Sequence, residues 1–140
     1  MKSARRRKAR ELLVQALYAA ELGHQPLAQA VADQIERRRP HEESLEYIHA
    51  LASRLSEHVA ERDARIDAVI ESRAPERVGT VERCILRLGV AELEFRSDVP
   101  TAVILDEAMG LVRHFASEDS ARFVHGVLDR IGRELRPAES

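Results

Sequence analysis

The sequence predicts an all-α protein of about seven helices, and three observations predict it. Apolar residues recur at spacings of three and four through most of the 140 residues, the signature of one helix face. Glycine (6) and proline (5) are scarce and β-branched runs are short, so few breakers or strand formers interrupt that pattern. A hydrophobic fraction of 44% beside 33% charged residues suits helices with one buried and one solvated side.

The first helix is expected over roughly residues 5–22. Leu13, Ala16, Leu17 and Ala20 form its apolar stripe, and Tyr18 lies off it, on the side of Arg7, Glu11 and Val14. Gly23-His24 stops this helix, glycine being a good residue to follow a helix end. Pro26 can open the second helix at its first position, with Leu27, Val31 and Ile35 inward. "RRRPHEES" (37–44) is a polar break. The third helix repeats Leu45, Ile48, Leu51, Leu55 and Val59. The pattern shifts phase around Glu61–Asp63 and resumes as Ile66, Val69 and Ile70, a short fourth helix ending near Ser72.

Ala74-Pro75 is the best internal boundary, because a residue before proline avoids helical geometry. It divides a single domain, 1–140, into helical halves 1–74 and 75–140. The fifth helix, roughly 80–95, carries two apolar bands (Val81, Cys84, Ile85, Leu88, Ala91 and Phe95; Leu86, Val90 and Leu93). A helix apolar on two sides is central, and Thr80 is its expected N-cap. Glu92 falls within the first band, where a carboxylate needs hydrogen-bond donors. "SDVP" (97–100) reads as an extended connector. The sixth helix turns Ile104, Ala108, Leu111, Val112 and Phe115 inward. Ser117 can cap the seventh, whose inward face is Phe123, Val124, Val127, Leu128, Ile131 and Leu135; Pro137 closes it.

Composition narrows the function. One cysteine, Cys84, excludes an intramolecular disulfide, and its place on the apolar band of the fifth helix marks it as a buried thiol. Asp63 and Asp67 read as a solvated face. Neither a secretory signal nor an apolar stretch of the ~20 residues needed to span a bilayer is present, so a cytoplasmic protein without membrane contact is expected. Six histidines are scattered, none at the four-residue spacing of a helical zinc pair; at His41-Glu42, Leu45 stands where the second histidine would be. No phosphate loop or nucleophile elbow occurs. No catalytic set, metal site or cofactor is expected.

Charge points the other way, to a binder. The net charge is −2, yet residues 1–10 carry Lys2, Arg5, Arg6, Arg7, Lys8 and Arg10 with no acid, while the rest of the chain holds 16 basic and 24 acidic residues. As a bare pattern this cluster reads either as a solvated charge run at the chain start or as a polyanion site; a helix N-terminus already presents positive charge, so the cluster opposes local helix stability, which favours an external polyanion. Phosphates gain from the arginines, the free amides and counterion release. Tyr18 could stack an unpaired base or pack against the last helix.

Several blocks then resemble one family. "ARRRKARELLVQALYAAEL" is similar to the opening of NusB proteins, bacterial transcription antitermination factors. "VERCILRLGVAELEFRSDVPTAVILDEAMGLV" looks like their central helix, connector and next helix, and "EDSARFVHGVLDRI" like their final helix. The resemblance covers nearly the whole chain, strongly at 4–22 and 80–136 and weakly across 24–72. It implies about seven helices in two packed bundles and a non-enzymatic role: binding the boxA element of leader and ribosomal RNA transcripts jointly with NusE, a small-subunit ribosomal protein, within an RNA polymerase antitermination complex. Carried over by position, the RNA face includes Lys2, Arg6, Arg7, Arg10, Gln15 and Tyr18, with Asp119, Arg122 and Phe123 at the head of the last helix. The NusE surface takes Glu82, and more weakly Glu76 and Arg77. The chain departs from the family pattern at Asp106 and His125 (usually Asn), Gly110 (usually acidic) and Ala116 (commonly Gly). The alternative expectation is a helical interaction module or homodimer without direct RNA binding.

Overall fold

The structure, a computed structural model, describes residues 2–73 and 78–139. Among these residues the chain forms α1 (Lys2–Gly23), α2 (Leu27–Arg38), α3 (Glu42–Leu55), α4 (Val59–Arg73), α5 (Thr80–Phe95), α6 (Thr101–Phe115) and α7 (Glu118–Leu135), closed by a 3₁₀ turn, Pro137–Glu139. No strand occurs among the described residues.

Three non-glycine residues with positive φ punctuate the first half: His24 (50°), Arg39 (46°) and His58 (53°). Glycine was the expected terminator of α1. Gly23 is instead its last helical residue and His24 makes the left-handed step, after which the Gln25 amide closes back on the Ala20 carbonyl at 3.2 Å. Arg39 ends α2 in the same way, its amide donating to the Ile35 carbonyl at 2.8 Å. The phase shift expected at Glu61–Asp63 falls earlier, at 56–58. Val59 therefore begins α4 rather than ending the third helix, and it stays exposed.

Two of the expected helix starts move by one residue and the third stays in place. Pro26 precedes α2 instead of opening it, Gly79 rather than Thr80 occupies the N-cap of α5, and Ser117 sits at the N-cap of α7 without a capping side-chain bond. "SDVP" is a tight turn rather than an extended connector, closed by the Val99 amide on the Arg96 carbonyl at 2.9 Å.

The chain divides into two compact units, Met1–Glu57 and His58–Ser140. The expected boundary at Ala74-Pro75 lies outside the described residues, and the division falls before α4. In the first unit α1 packs on both α2 and α3. Its buried face is accordingly wider than the expected stripe, taking in Ala9, Arg10, Leu12 and Val14 as well as Leu13, Ala16 and Leu17.

In the second unit α5 packs on α4, α6 and α7. It buries nine residues, Cys84–Leu86 and Leu88–Leu93, as a helix apolar on two sides should. Gly89 permits the close crossing: a Cβ there would stand 2.9 Å from both terminal methyls of the buried Leu128. Arginines join α4 to its neighbours. Arg87 grips Asp63 with two bonds (3.0 and 3.1 Å), Arg83 donates to Asp67 at 2.8 Å, and the buried Arg62 to Glu94 at 2.9 Å. Asp63 and Asp67 are thus docking points for α5, which corrects their reading as a solvated face.

The C-terminal end of α5 is finished by one side chain. A helix leaves its last carbonyls without intrahelical donors. The guanidinium of Arg136, just past α7, donates from Nε to the Leu93 carbonyl (3.0 Å), from Nη2 to those of Glu92 (3.2 Å) and Arg96 (2.9 Å), and from Nη1 to that of Val99 (2.7 Å). Beside it Glu139 accepts from the amide (3.2 Å) and hydroxyl of Thr101 at the start of α6. The Thr101 hydroxyl first, then its amide, hold the Glu139 carboxyl below the usual carboxylate range.

Replacing Arg136 by Met removes these charge-assisted bonds and leaves buried acceptors behind. It should cost about 2–4 kcal/mol in urea denaturation. Arg136→Lys should recover little of it, since an ammonium cannot reproduce the planar fork.

Candidate nucleic-acid interface

The head of α1 is helical from Lys2 onward, although its first turn holds no acid to offset the macrodipole. Tertiary contacts supply what local sequence withholds. Tyr47 of α3, buried at 4% exposure, presents its ring to two arginines of α1: the Arg6 guanidinium lies 4.8 Å and that of Arg10 5.4 Å from the ring centroid. Arg10 also donates to the Tyr47 hydroxyl at 3.4 Å. One turn earlier on α3, the Ser44 hydroxyl donates to the Arg5 carbonyl at 2.8 Å. The basic segment is pinned to α3 at residues 5, 6 and 10.

This arrangement sorts the expected contact residues. Lys2 and Arg7, together with Lys8, are exposed; Arg6 is half-buried, its guanidinium on Tyr47. Arg10 is 2% exposed and does not join the outward surface. Its place on the buried face of α1, four residues after Arg6, directs it at the tyrosine. Gln15 is half-buried and turns its Oε1 inward, where it meets no hydrogen-bond partner among the described residues. Tyr18 is 38% exposed, so part of its ring is open to stacking.

Asp119, Arg122 and Phe123 belong to α7, in the other unit. Asp119 and Arg122 are exposed and Phe123 is half-buried. Asp119 stands in the first turn with Glu118, where the helix dipole stabilises carboxylates. A groove of about 740 Å³ runs between α6 and α7; Asp119 and Arg122 line it with Asp106, Met109 and His125. Two of the departures from the family pattern, Asp106 and His125, therefore share one groove. Ala116 is the C-cap of α6, with its amide donating to the Val112 carbonyl at 2.8 Å. Gly110 faces open space, with nothing within 4 Å of an added Cβ.

Glu82 occupies the first turn of α5 and accepts from the Ser120 hydroxyl at 2.6 Å. Glu76 and Arg77 lie outside the described residues. Sequence reasoning missed Tyr47 and Ser44. The signal for them was their place on the inward face of the third helix, at Ser44, Tyr47, Ile48 and Leu51. Among the described residues no group of three or more His, Cys, Asp or Glu could hold a metal, and no helix is long and apolar enough to cross a membrane.

Seven helices in two units, with the densest positive charge on the first helix, define a small all-α protein with a basic helix head of the kind that meets polyanions. The chain belongs to the NusB family, whose model matches residues 7–133. It is 40% identical to transcription antitermination protein NusB of Pseudoalteromonas atlantica over 139 residues, 99% of each chain. NusB of T. maritima superposes with a TM-score of 0.86 at 30% identity, over 96% of this chain and 94% of that one. A crystal structure of antitermination factors NusB and NusE in complex with double-stranded RNA matches with a TM-score of 0.83 at 28% identity, over 94% and 98%.

The sorting of cations has a direct consequence. Arg10→Ala should lower stability by about 1–3 kcal/mol by emptying a buried site against Tyr47, whereas Lys8→Ala, at an exposed position, should change it by less than about 0.5 kcal/mol. Chemical denaturation of the two variants checks this.

Proposed function

We propose that this chain is a cytoplasmic transcription antitermination factor that binds boxA RNA of ribosomal RNA and leader transcripts together with NusE, and that it supports processive transcription without catalysing a reaction itself. The observation that carries this reading is the head of α1, where Lys2, Arg7 and Lys8 are held exposed on an ordered helix whose own first turn has no acid. A helix end of that kind is a phosphate-binding element. The likeness to the complex of NusB, NusE and double-stranded RNA supports both partners.

In this reading phosphates lie along Lys2, Arg6 and Arg7, and Tyr18 offers its open ring face to a base. Arg10 acts from behind, by holding the helix to Tyr47 of α3. Asp119, Arg122 and Phe123 at the head of α7 add a carboxylate able to accept from base amino groups, a cation and a partly open aromatic ring. Glu82 on α5 contributes to the surface for NusE. So few base-reading groups give little sequence discrimination alone, so NusE is expected to supply the rest. RNA binding by the isolated chain should be weak and salt-sensitive, and tighter with NusE.

Replacing Lys2, Arg6 and Arg7 together by Ala should weaken binding to a boxA RNA and reduce the salt slope by about two to three phosphate contacts. Fluorescence anisotropy across a salt series measures both. Wild-type affinity and slope in the triple variant would remove the head of α1 from the interface.

A further inference from the structure

The carboxylate of Glu82 is held inside its own unit by the head of α7. Ser120 is in the first turn of that helix, next to Asp119 and two residues before Arg122. Its hydroxyl donates to Glu82 Oε2 at 2.6 Å, the length of a charge-assisted O–H···O⁻ bond. The other oxygen, Oε1, lies so close to Gly79 that a Cβ there would stand 2.4 Å away. A residue with no side chain at 79 thus leaves room for the carboxylate to reach across from α5 to α7. Ser120 has a second neighbour, the Ser117 hydroxyl at 3.3 Å, which occupies the N-cap of α7 without capping it. The start of α5 and the start of α7 are joined through one carboxylate.

We propose that Glu82 and Ser120 are positioning residues that couple the occupancy of a protein partner at the head of α5 to RNA binding at the head of α7. This rests on the reading of Glu82 as a partner contact and of Asp119, Arg122 and Phe123 as RNA contacts. A carboxylate has two oxygens. With Oε2 on Ser120, Oε1 can accept from a donor of the partner, and fixing the carboxylate from one side fixes the hydroxyl on the other. With a partner donor on Oε1 the carboxylate is fixed from both sides, so the Ser120 bond already present in the free chain is held more firmly and the first turn of α7, with Asp119 and Arg122, is steadied before RNA arrives. Coupling between two binding sites is reciprocal: whatever NusE adds to RNA affinity, RNA adds to NusE affinity. Losing one such bond should reduce the coupling about three- to tenfold.

The test measures boxA RNA affinity of the full chain alone and with saturating NusE, for the unchanged protein and for Ser120→Ala, Ser120→Thr and Glu82→Gln. Ser120→Ala should bind each ligand separately about as the unchanged protein does, yet show a three- to tenfold smaller gain in RNA affinity on adding NusE. Ser120→Thr, which keeps the hydroxyl, should restore the gain. Glu82→Gln, which keeps an acceptor for Ser120 but loses the charge, should weaken NusE binding while leaving RNA affinity alone unchanged. A Ser120→Ala variant whose gain equals that of the unchanged protein overturns the coupling. An unchanged protein that binds neither RNA nor NusE overturns the functional reading as well, so the two failures are distinct.

Discussion

The contact on which the first unit depends is the ring of Tyr47 against the guanidinium groups of Arg6 and Arg10. Six basic residues at the head of a helix repel one another and oppose the helix dipole. Left to local energetics, that segment would fray. A buried aromatic face on α3 and the Ser44 bond to the Arg5 carbonyl reverse the balance. Two of the six cations become part of the packing, and the helix they stabilise extends to Lys2. Because the backbone is helical from Lys2, Lys2, Arg7 and Lys8 branch from set positions along it, which would lower the entropy lost on binding phosphates in the proposed function.

The second unit solves the opposite problem, at the opposite helix end. There the groups to be satisfied are carbonyls, and Arg136 donates to four of them, Glu92 and Leu93 in α5 and Arg96 and Val99 just after it. The same arginine ties the turn at 96–99 to the end of α7, so the last residues of the chain set where α6 starts. The N-terminal ends of α5 and α7 are joined separately, by Glu82 and Ser120. Arginine-to-carboxylate contacts from α4 orient that helix on α5; partly buried pairs of this kind fix geometry more than they add stability.

Much of this was legible from periodicity. The number of helices, their order, the central place of α5, the buried Cys84 and the boundaries near 23, 80, 101 and 135 follow from where apolar residues recur. What failed did so for identifiable reasons. Val59 continues the apolar rhythm of the third helix, but His58 breaks it with a positive φ that histidine adopts only in context. Asp63 and Asp67 fit a solvated face until arginines on a helix more than a dozen residues away are placed against them. Arg10 was indistinguishable by charge from Arg7, because its distinguishing partner is 37 residues distant. Arg136 sits in a polar tail with no pattern at all. In each case the deciding contact is tertiary and polar, and periodicity records only burial of apolar surface.

The proposed site was therefore half legible: the cluster was visible, its division into exposed cations and cations packed on Tyr47 was not. The central claim is that presentation by Tyr47, and not charge alone, makes the head of α1 a binding surface. The most direct test is boxA RNA binding by a Tyr47→Leu chain, which keeps every charge and a comparable apolar volume but removes the ring face. The account predicts an affinity at least about threefold weaker, from the loss of the cation–π support, with helix content by circular dichroism nearly unchanged. A Tyr47→Leu chain that binds RNA as tightly as the unchanged protein would contradict it.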